Sequence, residues 1–274
     1  MGRYLASHPV LNPWFSPLFG ALVTTQIQTA LALNRLLPVP VASDPLLDEL
    51  TLVIKTFERR PLLLRLLHSI RALYPHIAIV VVDDSREPAS LAGVDYVVLP
   101  FDSGVSAGRN AGLARVRTRF VMILDDDFVF YRHTDLLASL RRLAAEPEID
   151  LVGGVVITLP SLDWNDSSRT PIYRHTTPKP GGAVGGLERR RKVPNFFIAR
   201  TERLATIGWH PQLKRLDHID FFTRADGQLC VVLDPTLRCL HAKSLFDRHY
   251  MQYRGDYQAD LALLRQRYPG VPVE

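Results

Sequence analysis

Three adjacent carboxylates, Asp125, Asp126 and Asp127, follow directly on the apolar run Phe120 to Leu124. Like charges side by side repel, and a divalent cation relieves that repulsion. Hard oxygen ligands suit Mg2+ or Mn2+, ions that also hold substrate phosphates. The plain alternative is a solvated acidic turn that caps the next helix. Phe128, Val129 and Phe130 close the other side, which favours a site at a buried edge.

Other polar groups stand in equivalent places. Lys55, Thr56 and Arg59 follow Leu52-Val53-Ile54, and Asp83, Asp84 and Ser85 follow the β-branched run Ile77 to Val82. Gly104-Val105-Ser106-Ala107-Gly108-Arg109-Asn110 precedes a helical stretch. Its small residues admit a ligand to a helix N-terminus, where amide groups favour anions, and Arg109 adds a charge for a phosphate or a carboxylate. The stretch lacks the lysine and spacing of a P-loop and is not a G-x-G-x-x-G fingerprint.

The elements that must position these groups alternate. Strands are expected at Leu52–Ile54, Ile77–Val82, Tyr96–Leu99, Phe120–Leu124 and Leu151–Thr158. Helices are expected after Pro61, over Ala107–Arg115 and over Leu136–Ala145. Continuous apolar strands alternating with helices predict a mostly parallel α/β sheet with right-handed crossovers. Such sheets bind ligands beyond the carboxyl ends of their strands, where the groups above collect.

The second half is less regular. Residues 160 to 192 mix Pro, Gly, Ser, Asp and Arg, a long loop expected to be functional or disordered. Further strands are expected at Asn195–Ala199 and Leu229–Leu233. Phe246, Tyr250, Tyr253, Tyr257, Leu261 and Leu264 recur at spacings of three and four, which predicts one amphipathic helix, packed on the core in preference to serving as an aromatic ligand platform. At the other end no charged residue occurs from Trp14 to Asn34. Phe19, Val23, Ile27, Ala30 and Leu31 form one apolar stripe there, for packing on its own domain, a second copy or a membrane surface. Thr24, Thr25, Gln26, Gln28 and Thr29 argue against a span, and no basic segment and cleavage site of a secretory signal bracket the stretch. The expected division is an N-terminal arm over 1–49, the main domain over 50–245 and a C-terminal helix over 246–274.

Composition bounds the rest. The 274 residues carry 33 Lys and Arg against 28 Asp and Glu, a formal charge of +5 that suits an anionic partner. Two cysteines, Cys230 and Cys239, exclude a disulfide scaffold and a four-cysteine zinc site, and free thiols in a reducing cytoplasm are expected. A mean hydropathy of +0.02 excludes a polytopic membrane protein. The basic residues are dispersed and form no nucleic-acid module, so no nucleic-acid partner is expected.

Taken in order, Thr56…Arg59, Val82-Asp83-Asp84-Ser85, Gly104…Gly108-Arg109-Asn110 and Leu124-Asp125-Asp126-Asp127 resemble a GT-A-fold, family-2-like glycosyltransferase. The likeness is closer to the β-1,4-N-acetylgalactosaminyltransferase (GM2/GD2-synthase-type) catalytic domain. It is carried by Lys55-Thr56-Phe57, Ala107-Gly108-Arg109-Asn110, Asp125 to Phe130, Leu151-Val152-Gly153-Gly154 and Asn195 to Thr201. The resemblance runs from about Leu52 to Leu245. It implies a Rossmann-like, mostly parallel sheet with a small antiparallel acceptor-side region. It implies a UDP-sugar donor carrying GalNAc or another hexose or N-acetylhexosamine, a glycan or glycolipid acceptor, a Mn2+ or Mg2+ cofactor and inversion at the anomeric carbon.

The resemblance also implies residue roles. Asp84, or else Asp83, contacts the uracil. Lys55, Thr56, Arg59, Gly108, Arg109 and Asp126 line the nucleotide-sugar site. Asp125 faces the ribose or sugar, and Asp127 with His241 holds the metal. Asp220 is the preferred catalytic base with Asp217 second, and His218 contacts the acceptor or supports the helix. Asn195, Arg191 and Lys192 belong to the donor or acceptor loops, and the loop from 160 to 192 closes over the donor. A binding protein that kept the fold and lost turnover is the rival reading.

Overall fold

A computed structural model of the chain describes residues 12–36, 44–164, 171–174 and 181–273. Helix α1 (Asn12–Leu36) and a 3-10 turn (Pro45–Glu49) precede β1 (Leu50–Thr56), α2 (Arg60–Leu73), β2 (Ala78–Asp83) and β3 (Asp95–Val98). Then come α3 (Val105–Arg115), β4 (Phe120–Asp125), β5 (Phe128–Val129), α4 (Leu136–Ala145) and β6 (Leu151–Thr158). Short strands β7 (Asp163–Trp164), β8 (Ala183–Val184) and β9 (Leu187–Arg189) are followed by β10 (Phe197–Arg200). Helices α5 (Thr201–Ile207) and α6 (Asp217–Ala225), strand β11 (Val231–His241), and helices α7 (Arg248–Arg254) and α8 (Gln258–Arg267) complete the described chain.

The strand order is β3-β2-β1-β4-β10-β6-β11-β9-β8. Strands β3, β2, β1 and β4 are parallel neighbours. Every residue of β1 is buried, which explains its apolar centre Leu52-Val53-Ile54: helices cover both faces of the parallel half. Antiparallel β10 enters between β4 and β6, and β11 runs parallel to β6. The expected α/β sheet with an antiparallel region is the observed one. All four parallel strands end on one edge, so Thr56, Asp83 and Asp125 arrive there together.

Strand β11 extends well beyond the expected Leu229–Leu233, because Asp234-Pro235 makes a register break and not an end. Proline gives no ladder hydrogen bond, and Asp234 instead accepts from Thr236 N at 2.9 Å. The ladder resumes at Arg238 and pairs His241 with Phe128 of β5. That register carries His241 to the residue next to Asp127.

Two expectations change. The C-terminal helix from Phe246 is two helices, α7 and α8, because Gly255 closes the first with a 3.0 Å bond to the Met251 carbonyl. Only Leu261 and Leu264 of the apolar stripe reach the core, beside Tyr173 and Leu213. The expected closing loop lies partly outside the described residues, which in that interval include β7 and the β8–β9 hairpin.

Helix α1 packs Val23 and Ile27 against Val129, Tyr131, Leu159 and Leu240. Gln26 donates to the Pro160 carbonyl at 2.9 Å, which accounts for one polar residue in an apolar stretch. Trp14 and Leu18 stay exposed, and among the described residues no helix is long and apolar enough to cross a membrane.

Candidate active site

At the carboxyl edge of the parallel strands two guanidinium groups each bridge two carboxylates. Arg59, at the start of α2, donates Nη1 to Asp127 at 2.9 Å and Nη2 to Asp126. Arg109, in α3, donates Nη2 to Asp125 at 2.7 Å and Nη1 to Asp217. The acidic run is therefore no solvated turn. Asp126 and Asp127 are buried, only Asp125 is partly open, and the cap of α4 is Asp135.

Burial pushes Asp126 up to about 6 although Arg59 opposes it, and Thr56 Oγ1 donates to its other oxygen at 2.7 Å. Burial also acts upward on Asp127, but His241 and Arg59 outweigh it and hold the carboxyl far below its ordinary range. His241 Nε2 lies 3.3 Å from Asp127 Oδ2. Asp127 Oδ1 and His241 Nδ1 are buried without any partner.

Those orphaned atoms test whether a divalent cation suits the place. Mn2+ and Mg2+ are commonly held by one or two protein groups with the remaining positions left to phosphate and water. One carboxylate and one imidazole with unpaired atoms fit that pattern. Among the described residues no group of three His, Cys, Asp or Glu side chains forms a metal-holding cluster. The donor set that fits is Asp127 with His241.

A small cleft opens at the same edge, lined by Lys55, Phe57, Asp84 and Gly104 from the sheet side. Buried Lys55 pairs with Asp84 Oδ1 and donates to the Thr56 carbonyl at 2.7 Å, and burial depresses its ammonium pKa. Asp84 Oδ2 accepts Gly104 N at 2.8 Å, which ties the β2 end to the start of α3. Gly104 has φ +95°, and a side chain there would strike Lys214. A methyl at Gly108 would sit 2.2 Å from Lys55 Cδ, so glycine there makes room for the lysine stem. Asp83 is committed elsewhere, to Tyr96 Oη and to Ser85 N at 2.8 Å. Of the two expected uracil contacts, Asp84 is the one that faces the cleft.

The opposite wall comes from Arg215 and Arg254, which sequence reasoning missed, and from Tyr250 and Tyr253. Tyr253 meets Phe57 edge-on at 5.1 Å, and Arg215 Nε donates to the Tyr253 carbonyl at 2.9 Å. Helix α7 contributes no buried residue, so Tyr250 and Tyr253 serve the cleft and not the core. Their i, i+3 spacing was visible in the sequence, but it is also the spacing of a core-facing stripe.

The two base candidates separate. Asp220 is fully buried and takes Tyr268 Oη at 2.7 Å and Arg224 Nε at 2.9 Å, with Arg267 Nε at 3.5 Å. These donors make Asp220, the preferred base of the sequence reading, an anchor of the C-terminal segment. Asp217, in the first turn of α6, instead reaches Arg109 and through it Asp125. It makes no side-chain cap, and burial raises its pKa against the pull of Arg109. Asp260 of α8 sets this helix in place by accepting the amides of Lys214, Arg215 and Leu216 at 3.2, 2.7 and 2.9 Å.

His218 Nε2 lies 2.8 Å from the Val193 carbonyl, which can only accept, so that nitrogen carries the proton. Burial lowers its pKa to about 4, with Lys192 and Arg109 acting in the same direction. Lys192 is buried and Asn195 half-buried in the turn before β10. Arg191 Nε lies 3.7 Å from Asp226 and Arg190 pairs with Glu188 at 2.7 Å, so these two arginines do not converge on the cleft.

The family described as Glycosyl transferase family 2 matches residues 51–201. Human beta-1,4 N-acetylgalactosaminyltransferase 1 is 34% identical over 80% of this chain, and the chain covers 43% of it. Mouse beta-1,4 N-acetylgalactosaminyltransferase 2 is 34% identical over 70% of the chain, which covers 40% of it. The chain thus spans less than half the length of these relatives. Staphylococcus aureus TarS 1-349 in complex with UDP-GlcNAc has the same fold at TM-score 0.53 and 14% identity, over 82% of this chain and 68% of that one. The Pyrobaculum calidifontis mannosyltransferase PcManGT, in complex with GDP-Man and Mn2+, superposes at TM-score 0.51 and 17% identity, over 99% of this chain and 78% of that one.

Proposed function

This chain belongs to glycosyl transferase family 2, and on that premise we propose that it moves a sugar from a UDP-linked donor to a hydroxyl of a glycan or glycolipid, with inversion. The observation that carries the reading is the shared edge. The Lys55–Asp84 cleft, the Asp127–His241 pair with unpaired atoms and the Arg109-held Asp217 all lie beyond the same parallel strands. An N-acetylgalactosamine donor is favoured by the likeness to the two β-1,4-N-acetylgalactosaminyltransferases.

The geometry supports the following roles. Asp84 and Gly104 hold the base end of the nucleotide, and the aromatic edge of Phe57 and Tyr253 walls it. Arg215 and Arg254 present positive charge to the diphosphate. Asp127 and His241 would hold Mn2+ or Mg2+, which would supply Lewis-acid neutralisation of the charge on the departing diphosphate. Asp125, the most open of the three carboxylates, faces the ribose or sugar. Asp217 takes the proton from the acceptor hydroxyl as it attacks the anomeric carbon, and Arg109 fixes the carboxylate for that transfer. A single displacement turns an α-linked donor into a β-glycoside. Asp220 holds the C-terminal segment that supports α6.

The test is a panel of UDP-sugars with Mn2+, read by UDP release with and without glycan acceptors. Release above the buffer rate from at least one donor, lost in Asp127→Ala, is the expected result. UDP binding with no release from any donor would leave the binding-protein reading instead.

A further inference from the structure

Three consecutive residues of the β1–α2 loop each meet one residue of the exposed helix α7. Phe57 meets Tyr253 at 5.1 Å between ring centroids, Glu58 Oε2 meets His249 Nε2 at 2.7 Å, and the Arg59 guanidinium lies 4.0 Å from the centre of the Tyr250 ring. Glu58 itself is bent into the left-handed region, φ +55°, and held there by Ser85 Oγ on its amide at 2.7 Å. The loop is thus gripped on two sides, and its grip ends at Arg59.

Arg59 is 9% exposed, sandwiched between the Tyr250 ring and the Asp126–Asp127 pair. A cation over an aromatic face is held electrostatically, the more so when desolvated. The carboxylate assigned above to a divalent cation is therefore already engaged by a cation of the chain's own. Asp127 Oδ2 takes Arg59 and His241, and Oδ1 takes nothing. Two positive centres on one carboxylate repel each other strongly at such range and in such burial.

We propose that Arg59 is a resident counter-cation of the acidic pair, which a divalent cation must displace from Asp127. Arg59 then sets metal affinity, and Tyr250 strengthens its hold. The metal and the docked guanidinium oppose each other reciprocally, since a coupling between two ligands of one site acts equally on both. Arg109 has no such role. It sits inside α3, is fixed by Asp125 and Asp217, and touches neither Asp126 nor Asp127. The inference rests on the metal assignment of the preceding section and adds the competitor.

The experiment titrates Mn2+ into the full chain without donor and follows free Mn2+ by electron paramagnetic resonance, with circular dichroism to verify folding. Arg59→Gln is expected to bind Mn2+ about tenfold more tightly than the unaltered chain. Tyr250→Leu, which keeps the guanidinium but removes its aromatic seat, is expected to bind about threefold more tightly. Equal or weaker binding in Arg59→Gln overturns the proposal while leaving the metal site intact. Should that variant fail to fold, unchanged affinity in Tyr250→Leu overturns it. Mn2+ binding to none of the three proteins, with UDP release undiminished by chelator, overturns the proposal and the metal assignment together but leaves glycosyl transfer standing.

Discussion

The two arginine clusters at the sheet edge look alike in composition and differ in construction. Arg109 lies within a helix, is 2% exposed, and joins carboxylates from two distant elements, β4 and α6. Arg59 lies at the junction of a loop and a helix and joins two adjacent carboxylates of one turn. The face of Arg59 is covered by α7, a helix with no buried residue. One cluster ties the fold together; the other holds charge in a place where it can be exchanged. Chemistry at a sheet edge needs both, because a base must be held still while a ligand site must open.

The comparison breaks first on stability. Arg109→Met leaves two carboxylates without their shared cation, one of them buried, and is expected to cost about 3–5 kcal/mol in urea unfolding. Arg59→Gln is expected to cost less, because His241 still faces Asp127 and Thr56 still donates to Asp126. Equal losses from the two substitutions would end the distinction between a fixed and an exchangeable arginine.

Catalysis sharpens the contrast next. Asp217→Asn is expected to lower kcat by about 10²–10⁴-fold, the usual worth of a general base, with UDP affinity nearly unchanged. Its partner in the test is Asp220→Asn, three positions along the same helix. That change puts an amide against Tyr268 and Arg224 and is expected to cost about 3 kcal/mol of stability, with kcat in the surviving folded protein close to normal. A folded Asp220→Asn that loses transfer while Asp217→Asn keeps it would return the base to Asp220.

These two residues also mark where the sequence stops being legible. Parallel strands β1, β2 and β4 were readable because each is centred on a buried β-branched or apolar run, and polar residues begin where the run ends. Asp84, Thr56 and the acidic triad could be placed on one edge for that reason. The partners that separate Asp217 from Asp220 could not, since Tyr268 reaches Asp220 across 48 positions of sequence. Nothing local says which face of α6 the tail will cover. The preferred reading of the tail, one helix packed on the core, failed for a related reason. Tyr250 and Tyr253 share the helical spacing of Leu261 and Leu264, and periodicity does not distinguish a stripe on the core from a stripe on a cleft. His241 was reachable only through likeness to a family, because its approach to Asp127 depends on the bulge after Leu233 and the pairing of β11 with β5.

The smallest expected effect concerns pH at the fixed cluster. His218 is held neutral beside Arg109 and Lys192, with its folded pKa at about 4 against an unfolded value near 6.5. Between those values the unfolded chain binds the proton and the folded chain does not, so this group makes stability rise with pH. Its contribution is complete above about 6.5 and is lost as pH falls through 4. Full burial would make that about 3 kcal/mol, and the partly open ring reduces it to about 2 kcal/mol. Other groups also titrate in this range, so the quantity to measure is a difference. Urea unfolding of the unaltered chain and of His218→Gln, which can still donate to the Val193 carbonyl, isolates it. The variant is expected to lose about 2 kcal/mol less than the unaltered chain between pH 7 and pH 4. Parallel pH profiles would mean that His218 takes up its proton in the folded state, and that the Arg109 cluster is open to water after all.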